Sequence, residues 1–228
     1  MEPPSGQNIL LFGATGMVGQ GVLRECLLDP EVQQVRVVGR TPTGIQHPKL
    51  RETIHRDLWR YSAIEPDLSG FDACLFVLGV SSAGMKEEPY EHITYGVTIA
   101  AAETLCRLNP GMKFLYVSGA GTDSTERGKS MWARVKGKTE NTLLRLPFGA
   151  AYMFRPGVIQ PLYGARSKTP AYRIIYILAK PLLSLLHRAF PNHVLTTVEI
   201  GQAMLTVARR GYPKPILETA DIRAVLSR

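Results

Sequence analysis

Three glycines, Gly13, Gly16 and Gly19, stand between a short apolar run, Ile9–Phe12, and an amphipathic one that begins at Met17. Main-chain amides in so tight a turn can approach a diphosphate, and a helix starting there adds partial positive charge at its first N–H groups. Thr15, Met17 and Val18, with Ala14, complete the loop. After the second apolar run comes Val37-Val38-Gly39-Arg40-Thr41, the position where a site for a ribose with a free 2′-hydroxyl places Asp or Glu. Arg40 stands there instead, and its guanidinium suits a 2′-phosphate, so charge favours NADP over NAD; a solvated arginine at a strand end is the plain alternative. Further on, Asp57 could accept a bond from an adenine amino group with Leu58 packed beside the ring, or Asp57 could cap its own turn. Metal chemistry has no foothold: Cys26, Cys74 and Cys106 are scattered among apolar neighbours, and His92, His187 and His193 have no metal-like spacing.

The elements that must position these residues follow from hydrophobic patterning. Short β-type runs are expected at Asn8–Phe12, Gln34–Val38, Thr53–His55, Ala73–Leu78, Lys113–Val117, Ala150–Phe154 and Ile216–Glu218. Helical patterns fit Met17–Leu28, Tyr90–Leu108, Ser130–Leu144 and Val198–Arg209, with Asp29-Pro30, Asn109-Pro110 and Gly211 as stops. Strands alternating with helices predict a doubly wound, mainly parallel α/β sheet, a Rossmann arrangement, with ligands outside the carboxyl ends of the strands. At 228 residues with 45% hydrophobic content, the chain fits one domain, 1–228. Residues 165–197 read as a short helical elaboration, a lid or a membrane-contact segment. Within it, 171–190 is apolar but broken by Lys180-Pro181 and punctuated by Arg173, His187 and Arg188. Three readings stay open for this stretch: a packed helical pair beside the cleft, peripheral membrane contact, or a span.

The motifs Gly13-Ala-Thr-Gly16-Met-Val-Gly19, Gly39-Arg40, Phe114-Leu-Tyr-Val-Ser118, Val135-Lys136-Gly137 and Arg155-Pro156-Gly157 together resemble the atypical short-chain dehydrogenase/reductase superfamily. Within it the chain looks most like the Tat-interacting-protein-like group and related small NAD(P)-binding, epimerase/dehydratase-type proteins. The resemblance implies that Leu78, Gly79 and Val80 line the cofactor, with Ser81 and Ser82 near its ribose. It also implies that Ser118 orients a carbonyl and that Lys136 holds the ribose, while a tyrosine four residues before the lysine donates the proton. That position is Trp132. An indole N–H can donate a hydrogen bond but cannot practically give up its proton, so Trp132 would shape the pocket. Either another group supplies the proton, with Tyr90, Tyr95, Tyr163, Tyr172 and Lys136 itself as candidates, or the protein binds the dinucleotide without turnover, as a redox sensor or scaffold.

Twenty-seven Lys and Arg against nineteen Asp and Glu leave a formal charge of +8. This excess is best placed around an anionic cofactor, at Arg40, Lys136 and Arg155, because the basic residues are scattered and no nucleic-acid-binding motif accompanies them. The expected partner is a small-molecule carbonyl or hydroxyl substrate; the oligomeric state is not legible. The amino-terminal residues show no secretory pattern, and the expected compartment is cytoplasmic, with membrane association through 171–190 as a variant.

Overall fold

The computed structural model describes residues 6–166 and 193–227. Seven parallel strands form one sheet: β1 Gln7–Phe12, β2 Val32–Gly39, β3 Leu50–Ile54, β4 Ala73–Phe76, β5 Lys113–Val117, β6 Ala150–Arg155 and, last in sequence, β9 Ile216–Glu218. Their spatial order is β3-β2-β1-β4-β5-β6-β9, so the winding direction reverses between β1 and β4. In doubly wound sheets that reversal is where a ligand crevice forms, outside the carboxyl ends of the strands. Ile9, Leu10, Leu11 and Phe12 are all fully buried, as an interior strand covered on both faces demands.

Alternation along β1 divides the core. Ile9 and Leu11 face the layer formed by α1 (Met17–Leu28), α5 (Thr197–Arg210) and α6 (Thr219–Leu226). Leu10 and Phe12 face α3 (Val97–Leu108), α4 (Met131–Arg145) and a 3-10 turn at Ser62–Leu68. The start of α5 is fixed by a capping box in which Thr196 and Glu199 satisfy each other's backbone amides. The cysteines are free and buried. Burial pushes the Cys26 thiol up to about 12 and the Cys74 thiol well above the ordinary thiol range.

The expected doubly wound α/β fold is the observed one, with differences at several boundaries. The fourth strand ends at Phe76, so Leu78 belongs to the loop. The third strand begins earlier than expected and ends at Ile54. The single helix expected over Tyr90–Leu108 is three pieces: α2 (Glu87–Glu91), a π turn over His92–Gly96, and α3. A π turn inserts one residue and rephases the helices on its two sides. Two short strands, β7 (Val158–Gln160) and β8 (Val194–Thr196), pair in parallel, and α6 follows the last strand of the sheet. Most of the segment 165–197, including all of 171–190, lies outside the described residues. Among the described residues, no helix is long and apolar enough to cross a membrane.

Candidate functional site

The glycine loop lies directly on the turn from β1 into α1. Gly13 has φ +86°, and a Cβ there would stand 2.6 Å from the main-chain nitrogen of Leu78. A Cβ on Gly19 would stand 2.0 Å from the Gly13 carbonyl oxygen. Two positions of the motif are therefore closed to any side chain by backbone that passes within van der Waals reach. The Gly16 amide donates to the Gly13 carbonyl at 2.9 Å and fixes the bend. Gly16 caps α1 without a side-chain hydrogen bond, and the first turn, which includes Met17 and Val18, carries no acidic residue. A glycine cap brings no acceptor of its own to the leading amides of α1, the arrangement that suits an anionic diphosphate. The Thr15 carbonyl is tied to α1 by the Gln20 side-chain amide at 3.2 Å. Leu78 lies against Gly13, and Gly79 and Val80 continue exposed beyond the end of β4. This cradle fits a dinucleotide diphosphate.

At the other side of β1, Arg40 is exposed immediately after Gly39, the last residue of β2. Asp57 is exposed and accepts a bond from the Trp59 amide at 3.1 Å, the turn-capping arrangement. Leu58 is buried in the cluster that holds Phe12, Val38 and Tyr61, so its side chain supports the loop from the core.

Beyond β5, Ser118 Oγ lies 2.8 Å from Thr122 Oγ1. Thr122 Oγ1 also donates to the Gly119 carbonyl at 2.7 Å, which ties this hydroxyl pair to the loop. Asp123 folds the rest of this loop, accepting from the Thr125 hydroxyl and amide and from the Gly128 amide. These bonds, the Thr125 hydroxyl foremost, hold its carboxyl below the ordinary carboxylate range. The half-buried Trp132 ring lies over Gly119 and Gly121, 3.9 and 3.6 Å from where their Cβ atoms would be.

Lys136 is buried, one helical turn after Trp132. Its ammonium donates to the Tyr116 phenol oxygen at 2.9 Å and to the Val117 carbonyl at 3.3 Å. Burial pulls this amine down from 10.5 to about 8, against the opposing charge of Glu140. Tyr116 is a functional candidate that motif reasoning missed. Its signal was present, because in a strand residues two apart share a face, and Tyr116 stands two before Ser118.

Arg155 requires a correction. Its Nε lies 3.1 Å from each oxygen of the fully buried Glu140 carboxylate, Nη1 donates to Glu218 at 3.1 Å, and Nη2 to Ser124 at 2.6 Å. The guanidinium is a strut joining β6, α4, β9 and the Ser118 loop, committed to protein acceptors. Of the other proton-donor candidates, Tyr90 is buried, Tyr95 is half-buried with Lys138 over its ring at 4.7 Å, and Tyr163 is exposed beneath Arg24 at 3.9 Å. Tyr172 and His187 lie outside the described residues, and His92 stacks on Trp59. Among the described residues, no cluster of His, Cys, Asp and Glu could hold a metal.

No family model matches the chain. The fold is shared with WbmF of Bordetella bronchiseptica, solved in complex with NAD+, at a TM-score of 0.68 and 16% identity over 97% of this chain and 77% of that one. It is shared with a short-chain dehydrogenase/reductase of Saccharomyces cerevisiae at 0.64 and 15% identity, over 97% and 99% of the two chains. Uronate dehydrogenase from Agrobacterium tumefaciens gives 0.62 and 20% identity over 95% and 77%. The chain thus has the Rossmann fold of short-chain dehydrogenase structures.

By sequence it resembles the protein FMP52-2, mitochondrial, of Scheffersomyces stipitis, 27% identical over 69% of this chain and 67% of that protein. The protein fmp52, mitochondrial, of Aspergillus clavatus is 29% identical over 67% and 66%. The matched region spans about two thirds of the length of these relatives. Their names overturn the expectation of a cytoplasmic protein.

Proposed function

We propose that this protein binds NADP(H) and acts as an atypical short-chain dehydrogenase/reductase, an oxidoreductase or epimerase-like enzyme on a carbonyl or hydroxyl compound, and that it works in mitochondria. The observation that carries the reading is the cradle at the switch in strand order. Gly13 and Gly19 are closed to any side chain by neighbouring backbone, and α1 starts on a glycine cap with no acidic residue in its first turn. The dinucleotide diphosphate would lie on the leading amides of α1, the 2′-phosphate against Arg40, and the ribose hydroxyls on the N–H that Lys136 does not give to Tyr116 or Val117. When bound, the nicotinamide supplies the hydride. Ser118 would orient the substrate oxygen, with Trp132 as the pocket wall. The mitochondrial names of the relatives support the compartment.

A second reading, a cofactor-occupancy sensor without turnover, is favoured by one observation: the residue one helical turn before Lys136 is an indole with no transferable proton. Calorimetric titration of NADPH and NADH against wild type and Arg40→Ala tests the cofactor assignment. NADPH should bind at least tenfold tighter to wild type, and the preference should vanish in the variant. Equal affinities untouched by the change would refute the phosphate contact. Turnover of a panel of aldehydes and ketones by wild type and Trp132→Tyr separates the two readings: activity gained only with tyrosine identifies a sensor. Fractionation of cells expressing the tagged chain reads the compartment.

A further inference from the structure

Below the crevice floor lies a buried polar group of residues contributed by five elements. The Tyr116 phenol, fully buried on β5, receives the Lys136 ammonium at 2.9 Å. The hydroxyls of Thr98 on α3 and Thr139 on α4 face the same phenol. Each threonine donates its proton to a carbonyl four residues earlier, Thr94 at 2.6 Å and Val135 at 2.8 Å. The Lys136 ammonium carries only donors, so in its bond with Tyr116 the phenol oxygen accepts. Tyr116 is thereby fixed as an acceptor for Lys136. The other titratable and charged groups around the pair are Tyr90 from α2, Glu140 from α4, and Arg155 from β6 acting through Glu140. Glu140 is held bidentately by Arg155 and gives Lys136 no hydrogen bond. Tyr116 and the Val117 carbonyl are thus the partners that orient the ammonium among the described residues.

We propose that Tyr116 is the positioning residue for Lys136, a strand-borne phenol that anchors the ammonium at the carboxyl end of β5 and leaves its remaining N–H directed to the crevice. The side chain one turn earlier on the helix, Trp132, lacks a phenol, and β5 provides one from beneath. The consequence for binding rests on the dinucleotide reading; the pairing itself rests on the geometry alone.

The experiment follows the Lys136 amine by NMR in selectively labelled protein between pH 6.5 and 10. In parallel, NADPH affinity is measured by calorimetry for wild type, Tyr116→Phe, Lys136→Met and protein carrying 3-fluorotyrosine at Tyr116. The amine of wild type should titrate near pH 8. Removing the acceptor should lower that midpoint by about one pH unit, the size of a modest hydrogen bond to a charged donor. At pH 7.5 that change takes the charged fraction from roughly three quarters to one quarter, so NADPH affinity should fall about threefold, with a smaller change in the same direction for the fluorinated protein. Phenylalanine and fluorotyrosine keep the ring, so at least one variant is expected to fold. An unmoved amine midpoint in folded Tyr116→Phe or fluorotyrosine protein would overturn the proposal. Absence of NADPH binding together with a moved midpoint would overturn the dinucleotide reading and leave the Tyr116–Lys136 pairing standing.

Discussion

Replacing Lys136 with methionine should make the folded protein more stable at neutral pH while weakening its hold on a dinucleotide. Methionine matches the length and volume of the lysine stem and needs no partner at the 8% exposed position. The fold depresses the amine from 10.5 to about 8. At about 1.4 kcal/mol per pH unit, that shift means the fold destabilises the charged form by roughly 3 kcal/mol. Loss of the bonds to Tyr116 and Val117 offsets part of the gain, leaving an expected increase of about 1–3 kcal/mol at pH 7. The pH dependence is the sharper signature. Between pH 8 and 10.5 the unfolded chain binds more protons at this lysine than the folded one, so wild-type stability rises with pH through that window. Below pH 8 the full penalty is present; above 10.5 it is gone. The variant lacks the group, so its advantage should be largest at pH 7 and shrink as pH rises toward 10.5. Urea unfolding of both proteins at pH 7, 8.5 and 10, followed by circular dichroism, measures this difference. A variant less stable than wild type at pH 7, or an advantage that stays constant with pH, would show that the amine is not held at a desolvation cost.

Gly19→Ala should cost about 3 kcal/mol or more and abolish dinucleotide binding, because its Cβ would fall 2.0 Å from the Gly13 carbonyl and force the loop away from α1; thermal unfolding and calorimetry read both effects. Arg155→Ala strands Glu140, which is fully buried, and should cost about 3–5 kcal/mol in denaturant unfolding. NADPH affinity of the fraction that remains folded should match wild type, since the guanidinium is occupied by Glu140, Glu218 and Ser124; a selective loss of NADPH binding without loss of stability would restore Arg155 to the cofactor.

What was legible in the sequence was whatever contiguous residues encode. The run Ile9–Phe12 is buried on both faces and therefore uninterrupted, so it announces an interior parallel strand, and the same holds for Phe114–Tyr116. The glycine loop is legible because its constraints act within a few residues: Gly19 meets Gly13, and the helix starts in between. Among the elements that escaped were β7, β8, the 3-10 turn at Ser62–Leu68, α6 and the pieces around His92–Gly96. Strands as short as β7 and β8 carry little period, although the equally short β9 was read, and a π turn sits inside a sequence whose apolar spacing still reads as continuous helix.

The site divides along the same line. Glycine positions, Arg40 after β2 and Lys136 on the helix depend on local order along the chain, and local order could be read. Partner choice across elements could not. Arg155 carried the right charge for a phosphate, yet Glu140, fifteen residues earlier, comes to face it only when α4 packs against β6. A carboxylate buried as fully as Glu140 is costly to leave without a partner, so the fold keeps the arginine on it. Tyr116 shows the converse: a strand residue given no role from the sequence becomes the acceptor that aims Lys136, because α4 delivers its ammonium onto the phenol. The residues that determine whether this site performs chemistry are consequently those whose neighbours come from elsewhere in the chain. Trp132 in place of an acid defines the question, and the protonation state of Lys136, held by β5 and depressed by burial, is where its answer can be measured.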